Sequence, residues 1–202
     1  MKKQIYNIIA HTGIWSMQRI FPEYFATEPL EPTDRYIEYP FVLSGLLPPP
    51  LKILDVGCSG SMFPLLLKAL KYEITGIDVR QYYYKDKIDF LLGDIRETPF
   101  PDNSFHIITA VSSIEHIGLK GWYGQRREVN GDVKAGREIY RILKPRGLFL
   151  MTVPYGKLKE EGNHRIYDQP RLNLLLRNFT YSYELTPSPE ADYQLALIKA
   201  MK

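Results

Sequence analysis

Three aspartates, Asp55, Asp78 and Asp94, each stand at the end of a short apolar run, and that repetition is the strongest chemical signal in the chain. The first belongs to Leu54-Asp55-Val56-Gly57-Cys58-Ser59-Gly60-Ser61. An acid closing a buried strand and followed by a tight turn of small residues makes a concave site at the strand's carboxyl end, open to a nucleotide-like ligand. Gly57 and Gly60 let the backbone turn close to that ligand, and free amides ahead of Met62 are placed to meet a carboxylate. Alone, the pattern also fits a plain strand-to-helix turn. The second acid, in Thr75-Gly76-Ile77-Asp78, can accept two ribose hydroxyls, and the third, in Leu92-Gly93-Asp94-Ile95, can accept an adenine amino group beside the Ile95 amide. Nicotinamide dehydrogenases also use an acid on the ribose, but they need a Gly-x-Gly-x-x-Gly loop for their diphosphate. This loop lacks it, and Asp55 would oppose a diphosphate, so the set suits a cationic nucleoside cofactor.

A second group of residues could act on a substrate. Glu115 and His116 follow the fourth apolar run, where His116 could serve as a base or pin the loop. Gly121-Trp122-Tyr123-Gly124-Gln125-Arg126-Arg127 mixes glycines, aromatics and cations, as suits a substrate lid or an exposed loop. His164, Arg165 and Tyr167 lie beyond the fifth run. Together Glu115, His116, Trp122, Tyr123, His164, Arg165 and Tyr167 form an expected acceptor wall: His116 or His164 takes a hydroxyl proton, Arg165 holds an anionic group, and the aromatics cover an apolar or sugar face. The alternative is that several of them brace loops.

The elements that must position these residues are regular. From Lys52 onward short aliphatic runs alternate with helical segments, as in an α/β chain with a parallel sheet. Strands are expected at Ile53–Val56, Glu73–Ile77, Asp89–Leu92, Phe105–Val111 and Leu148–Val153, with helices at Met62–Leu70, Val133–Leu143 and Arg171–Arg177. The connector between the last two runs, Phe179–Leu185 and Tyr193–Met201, is too short for a crossover helix, so they pair antiparallel. Upstream, Pro32 opens a helix whose apolar face includes Tyr36, Tyr39, Phe41, Val42 and Leu46, ended by Gly45 and Pro48–Pro50. Residues 1–35 read as an N-terminal helix and connector, and residues 36–202 as one domain, ordinary for a chain of 202 residues.

On Ile53–Ser61, Gly76–Asp78, Gly93–Asp94, Pro101–Val111 and Leu143-Lys144-Pro145-Arg146-Gly147 the chain resembles the class I methyltransferases. The resemblance implies a Rossmann-like seven-stranded sheet, order 3-2-1-4-5-7-6, with strand 7 antiparallel and helices on both faces. It also implies S-adenosyl-L-methionine, held by Asp55, Gly57, Cys58, Ser59, Gly60, Asp78, Val79, Asp94, Ile95 and Val111. Ser59 and Ser61 stand where that family usually has glycines. Ser113–Leu119 and Asn163–Tyr167 are similar to an uncharacterised methyltransferase-like branch whose members look like enzymes acting on glycans or small metabolites. Quinone-biosynthesis O-methyltransferases look similar too, but carry an acid where this chain has Ser112, so no metal is expected. The expected function is methyl transfer to a hydroxyl of a small molecule or glycan. The alternative is a cofactor-binding module without activity, or a regulatory subunit docked through the N-terminal helix.

A net charge of +3 gives no nucleic-acid signal. No run reaches the roughly 20 apolar residues of a membrane span. Cys58, the single cysteine, requires no oxidising compartment, so a cytoplasmic location is expected.

Overall fold

A computed structural model describes Arg19 and residues 33–119 and 127–202. Helix α1 (Arg35–Gly45) precedes strand β1 (Lys52–Val56), α2 (Phe63–Ala69), β2 (Glu73–Asp78), β3 (Asp89–Leu92) and β4 (Phe105–Val111). Then come α3 (Gly131–Ile142), β5 (Leu143–Tyr155), β6 (Lys159–Glu161), β7 (His164–Ile166), α4 (Gln169–Leu175), β8 (Thr180–Pro187) and β9 (Gln194–Met201). Seven strands form one sheet in the order β3-β2-β1-β4-β5-β9-β8, and β9 runs antiparallel to both its neighbours. This is the expected order, with β6 and β7 added as a separate hairpin.

Both faces of the sheet are covered, which is why its strands read as continuous apolar runs. Side chains alternate between two cores. Leu54, Ile108, Phe149, Met151 and Val153 pack with Ala135, Ile139 and Leu172 of α3 and α4. Ile53, Ile107, Leu148 and Leu150 pack on the other face with Val42 of α1 and with Phe63 and Leu67 of α2. Gly136 lets α4 approach α3: a Cβ there would lie 2.6 Å from the Leu175 carbonyl oxygen.

Two local features depart from the expected picture. Lys144–Gly147, expected as a turn before the fifth strand, is a bulge within β5, where pairing jumps from Phe105 opposite Leu143 to Ile107 opposite Leu148. Arg146 takes the left-handed conformation there (φ 62°). The β6–β7 hairpin was not expected at all. It turns at Gly162-Asn163 with φ 61° at Gly162, and it packs on the turn Ile114–His116 after β4.

The expected N-terminal helix, apart from Arg19, and the expected lid with Trp122 and Tyr123 lie outside the described residues. Among the described residues no helix is long and apolar enough to cross a membrane.

Candidate functional site

The carboxyl ends of β1, β2 and β4 and the turn after β3 surround an open cavity of about 240 Å³. That is just under the roughly 300–1,000 Å³ usual for small-ligand sites, and the opening lets a ligand extend beyond it. Gly57, Gly60, Asp78, Val79, Asp94, Ile95 and His116 all line it, as do Arg35, Arg80, Ser112 and Ser113. Asp55 and Val111 line a smaller adjoining space together with Arg35, Gly57 and Ser61. Cofactor candidates from four separate segments thus meet in one place.

The loop after β1 is shaped by contacts that sequence alone does not display. Gly57 has φ 80°, and a Cβ on it would lie 2.5 Å from the Ser113 Cβ, so only glycine fits. Cys58 is fully buried, with its Sγ against Gly76, and contributes to the loop's underside. Asp78 holds the loop to β2. Its Oδ2 accepts from the Ser59 amide at 2.9 Å, and its Oδ1 accepts from the Arg80 amide at 2.8 Å.

The amides ahead of Met62 were expected to receive a carboxylate. Instead the Gly57 amide donates to the Ile77 carbonyl, Ser59 to Asp78, and Ser61 to the Cys58 carbonyl. The Phe63 amide donates to Ser61 Oγ at 2.9 Å. Of these four amides only that of Phe63 uses a serine hydroxyl as local turn chemistry, while the Ser59 hydroxyl donates to the Arg80 carbonyl.

Asp55 differs from the expected fixed negative charge. Burial pushes its pKa up to about 7, against the opposing effects of the Thr109 hydroxyl, which donates to it at 2.5 Å, and of Arg35. It therefore opposes a diphosphate only weakly at neutral pH. The case against a dinucleotide then rests on the loop, which lacks the Gly-x-Gly-x-x-Gly pattern. Burial penalises the Asp94 anion, but hydrogen bonds from Arg96 outweigh that and hold it below the ordinary value. Arg96 donates to both Asp94 oxygens, with Nε at 3.0 Å from each.

At the β4 end, His116 Nδ1 lies 2.7 Å from the Asn163 carbonyl oxygen in the hairpin turn. A carbonyl only accepts, so Nδ1 carries the proton and Nε2 the lone pair of a neutral ring. Burial lowers the His116 pKa, which favours that neutral form. Glu115 is buried, its pKa pushed up to about 8 by desolvation, and its Oε2 has no hydrogen-bond partner. Among the described residues His164 Nε2 likewise is buried with no hydrogen-bond partner.

Arg165 and Tyr167 were expected at the acceptor wall but lie beneath it. Arg165 Nη1 is 3.0 Å from Asp132 Oδ2, and the Tyr167 hydroxyl donates to the same oxygen at 3.0 Å. Arg171 of α4 closes a two-toothed pair on Asp132. Asp132, fully buried in the first turn of α3, ties α3, α4 and β7 together. An ion so deeply buried requires this many donors, and that requirement draws both side chains inward.

Two residues of this site were missed. Glu38 on α1 is fully buried. Its Oε1 accepts from the hydroxyls of Ser112 and Thr152, each at 2.5 Å, and its Oε2 accepts from Arg35 at 2.8 Å. Arg35 and Glu38 stand three apart on a helix, a spacing that reads as an ordinary surface ion pair. Nothing local marks Arg35 as lining a cavity or Glu38 as buried behind it.

A methyltransferase-domain family model matches residues 54–151, which run from β1 into β5 and carry the loop, all three aspartates and His116. The segment 54–151 thus belongs to a methyltransferase-domain family. This methyltransferase chain is 32% identical over 115 residues to the sterol 24-C-methyltransferase ERG6B of Gibberella zeae, a match covering 50% of this chain and 27% of that one. It thus spans about a quarter of that relative's length. Among solved structures it is similar to the PH0226 protein of Pyrococcus horikoshii, with a TM-score of 0.67 and 20% identity over 93% of this chain and 99% of that one. It is also similar to the 1,6-didemethyltoxoflavin-N1-methyltransferase of Burkholderia thailandensis, solved with S-adenosylhomocysteine (TM-score 0.60, 16% identity, 98% and 89% covered). At such identities the structures establish the fold of the methyltransferase chain, not its acceptor.

Proposed function

We propose that the chain is an S-adenosylmethionine-dependent methyltransferase that transfers the methyl group to a hydroxyl of a small molecule or glycan. The observation that carries the cofactor half is the convergence of Asp78 and Asp94 on one cavity with the apolar pair Val79 and Ile95. Asp78 suits the ribose hydroxyls. Arg96 already donates twice to each Asp94 oxygen, so an adenine amino group accepted there shares or displaces one of those bonds. The bound cofactor supplies a methyl group already activated on a sulfonium, so the protein's task is alignment, with effective molarity supplying on the order of 7–11 kcal/mol at most.

The hydroxyl reading rests on His116, which lines the cavity as a neutral imidazole with its lone pair on Nε2. A neutral ring in that position can take the proton that a hydroxyl must lose. The name of the Gibberella zeae relative favours a second reading, a carbon acceptor, for which this base would act on a different proton or none. Isothermal calorimetry decides the cofactor: S-adenosylhomocysteine binds and NAD does not. Carbon-13 NMR of a product made with methyl-labelled cofactor decides the acceptor, since an O-methyl and a C-methyl carbon resonate far apart. Cofactor binding with no turnover over a broad acceptor panel favours the regulatory alternative.

A further inference from the structure

We propose that the acceptor carries a protonated amine beside its reacting hydroxyl, and that Glu115, Asp34 and Tyr193 receive the ammonium group behind His116. The inference rests on the hydroxyl reading above and adds a substrate class to it. An amino alcohol or an amino sugar meets both requirements.

The elements of this subsite meet at the carboxyl ends of the strands. Tyr155 at the end of β5 pairs with Gln194 at the start of β9, so the connector 188–193 stands on the cavity side of the sheet. There it is clasped to the start of α1. The Ser188 hydroxyl donates to Asp34 Oδ1 at 2.7 Å, the Tyr193 hydroxyl donates to Asp34 Oδ2 at 3.4 Å, and the Asp34 amide donates to Glu190 Oε1 at 2.6 Å. Glu115 faces the clasp from the turn after β4, within electrostatic range of Asp34, Glu38, Arg35 and Tyr193. His164 on the hairpin stands with its ring 6.0 Å from that of Tyr193. His116 joins the group to the cavity, which it lines, and its Nε2 is 3.9 Å from Glu115 Oε1.

Charge is out of balance here. Of the four carboxylates Asp34, Glu38, Glu115 and Glu190, Glu38 has its cation in Arg35. Among the described residues the other three are bonded to no lysine or arginine. Asp34 and Glu115 are 6% and 2% exposed, so water does little to offset their charge, and burial pushes their pKa values up to about 6 and about 8. Glu115 Oε2 is buried with no partner, and so is His164 Nε2. A carboxyl group left open in this way is costly to the free protein, and an ammonium removes the cost by supplying both charge and N–H donors. Among the described residues these acids do not come together in a set that could hold a metal ion. An ammonium needs no such set, and the Tyr193 ring suits it as an aromatic wall. Each bond of the clasp involves a side chain, so a ligand enters by parting the connector from α1 without breaking the sheet.

The test compares amines with their neutral counterparts on the full chain saturated with S-adenosylhomocysteine. The probes are D-glucosamine against D-glucose and 2-aminoethanol against ethylene glycol, measured by calorimetry. In at least one pair the amine binds about tenfold more tightly. Its binding at pH 7 releases a proton as Glu115 ionises, so the heat differs between buffers of unlike ionisation enthalpy. In Glu115→Gln, with S-adenosylhomocysteine still bound, the proton release is gone and the amine falls to within about twofold of its neutral partner. Asp34→Asn gives a smaller loss of the same kind and carries the test if Glu115→Gln does not fold. Equal affinities within both pairs overturn the proposal, as do failure of both amines to bind and an amine preference that survives in folded Glu115→Gln. The parent reading fails separately. Amine-selective binding lost in Glu115→Gln, with methyl transfer going to an atom other than oxygen, sinks the hydroxyl reading alone. O-methylation of the neutral partners as fast as of the amines sinks the ammonium subsite alone.

Discussion

The end of the cavity at β2 and β3, proposed above for the nucleoside, and the region behind the expected acceptor wall use charged residues in opposite ways. At that end Asp78 bonds the loop and Asp94 bonds Arg96, yet both still line the cavity. Behind the wall, Asp132, Arg165, Arg171 and Tyr167 spend their charge on one another. Charged and polar residues close to a presumed site are thus no guide to ligand contact. What separates the two regions is whether a side chain has a satisfied partner inside the protein or an opening beside it.

The comparison is broken most sharply at Asp132. Asp132→Ala strands the buried Arg165 guanidinium and takes two bonds from the partly buried Arg171, so urea denaturation should show a loss of about 3–5 kcal/mol. A loss under about 1 kcal/mol would mean that Arg165 and Arg171 are free to face the cavity, and would return Arg165 to the acceptor wall. Asp78→Ala should behave differently, weakening S-adenosylmethionine binding by about 1–3 kcal/mol in calorimetry while the chain remains folded. Unchanged affinity in a folded variant would place the nucleoside elsewhere.

The same contrast explains how much could be read in advance. The strands were legible because strands buried on both faces are apolar throughout, and the antiparallel last pair because its connector is short, whereas their order came from the resemblance to the class I methyltransferases. The three aspartates were legible because each sits at the end of such a strand. Arg35 and Glu38 were not, since an i,i+3 ion pair on a helix has the same sequence signature whether it faces solvent or the cavity. Asp132 was not, because its partners lie 33 and 39 residues away in sequence, and only the packing of α3, α4 and β7 joins them. The hairpin had a signal, the Gly162-Asn163 dipeptide, but strands of three residues leave no periodicity to accompany it.

Glu115 gives the comparison a pH axis. Its pKa is raised by burial from the ordinary 4.5 to about 8. A carboxyl with a raised folded-state pKa binds more protons folded than unfolded between those values. Its contribution is thus undiminished below the unfolded pKa and is lost as pH rises through about 8. Asp55, raised to about 7 by burial, works in the same direction. Glu115→Gln removes one titration, so the variant should gain more than about 1 kcal/mol relative to the parent chain between pH 5 and pH 9, one pKa unit being about 1.4 kcal/mol. Parallel stability curves for the two proteins would show that Glu115 is ionised in the folded state, and its Oε2 would then need a cation beside it.

The smallest effect is expected at Gly162, and its value lies in being paired with Gly57. Both glycines have positive φ, 61° and 80°, so alanine at either carries the same left-handed backbone cost of about 1–2 kcal/mol. Their surroundings differ. A Cβ on Gly162 meets nothing within 4 Å, whereas one on Gly57 lies 2.5 Å from the Ser113 Cβ. Gly162→Ala should therefore cost about 1 kcal/mol in thermal or urea unfolding and leave cofactor affinity unchanged. Gly57→Ala should add an overpacking cost of about 1–3 kcal/mol and weaken the cofactor as the loop is pushed off Ser113. Equal losses in the two variants would mean that the loop after β1 yields as readily as an exposed hairpin turn, and the cavity could not then be shaped in advance of its ligand. A loss of cofactor affinity in Gly162→Ala would carry the opposite lesson. One link from that turn to the cavity is the Asn163 carbonyl on His116 Nδ1, so the hairpin would be setting the position of the imidazole at the site.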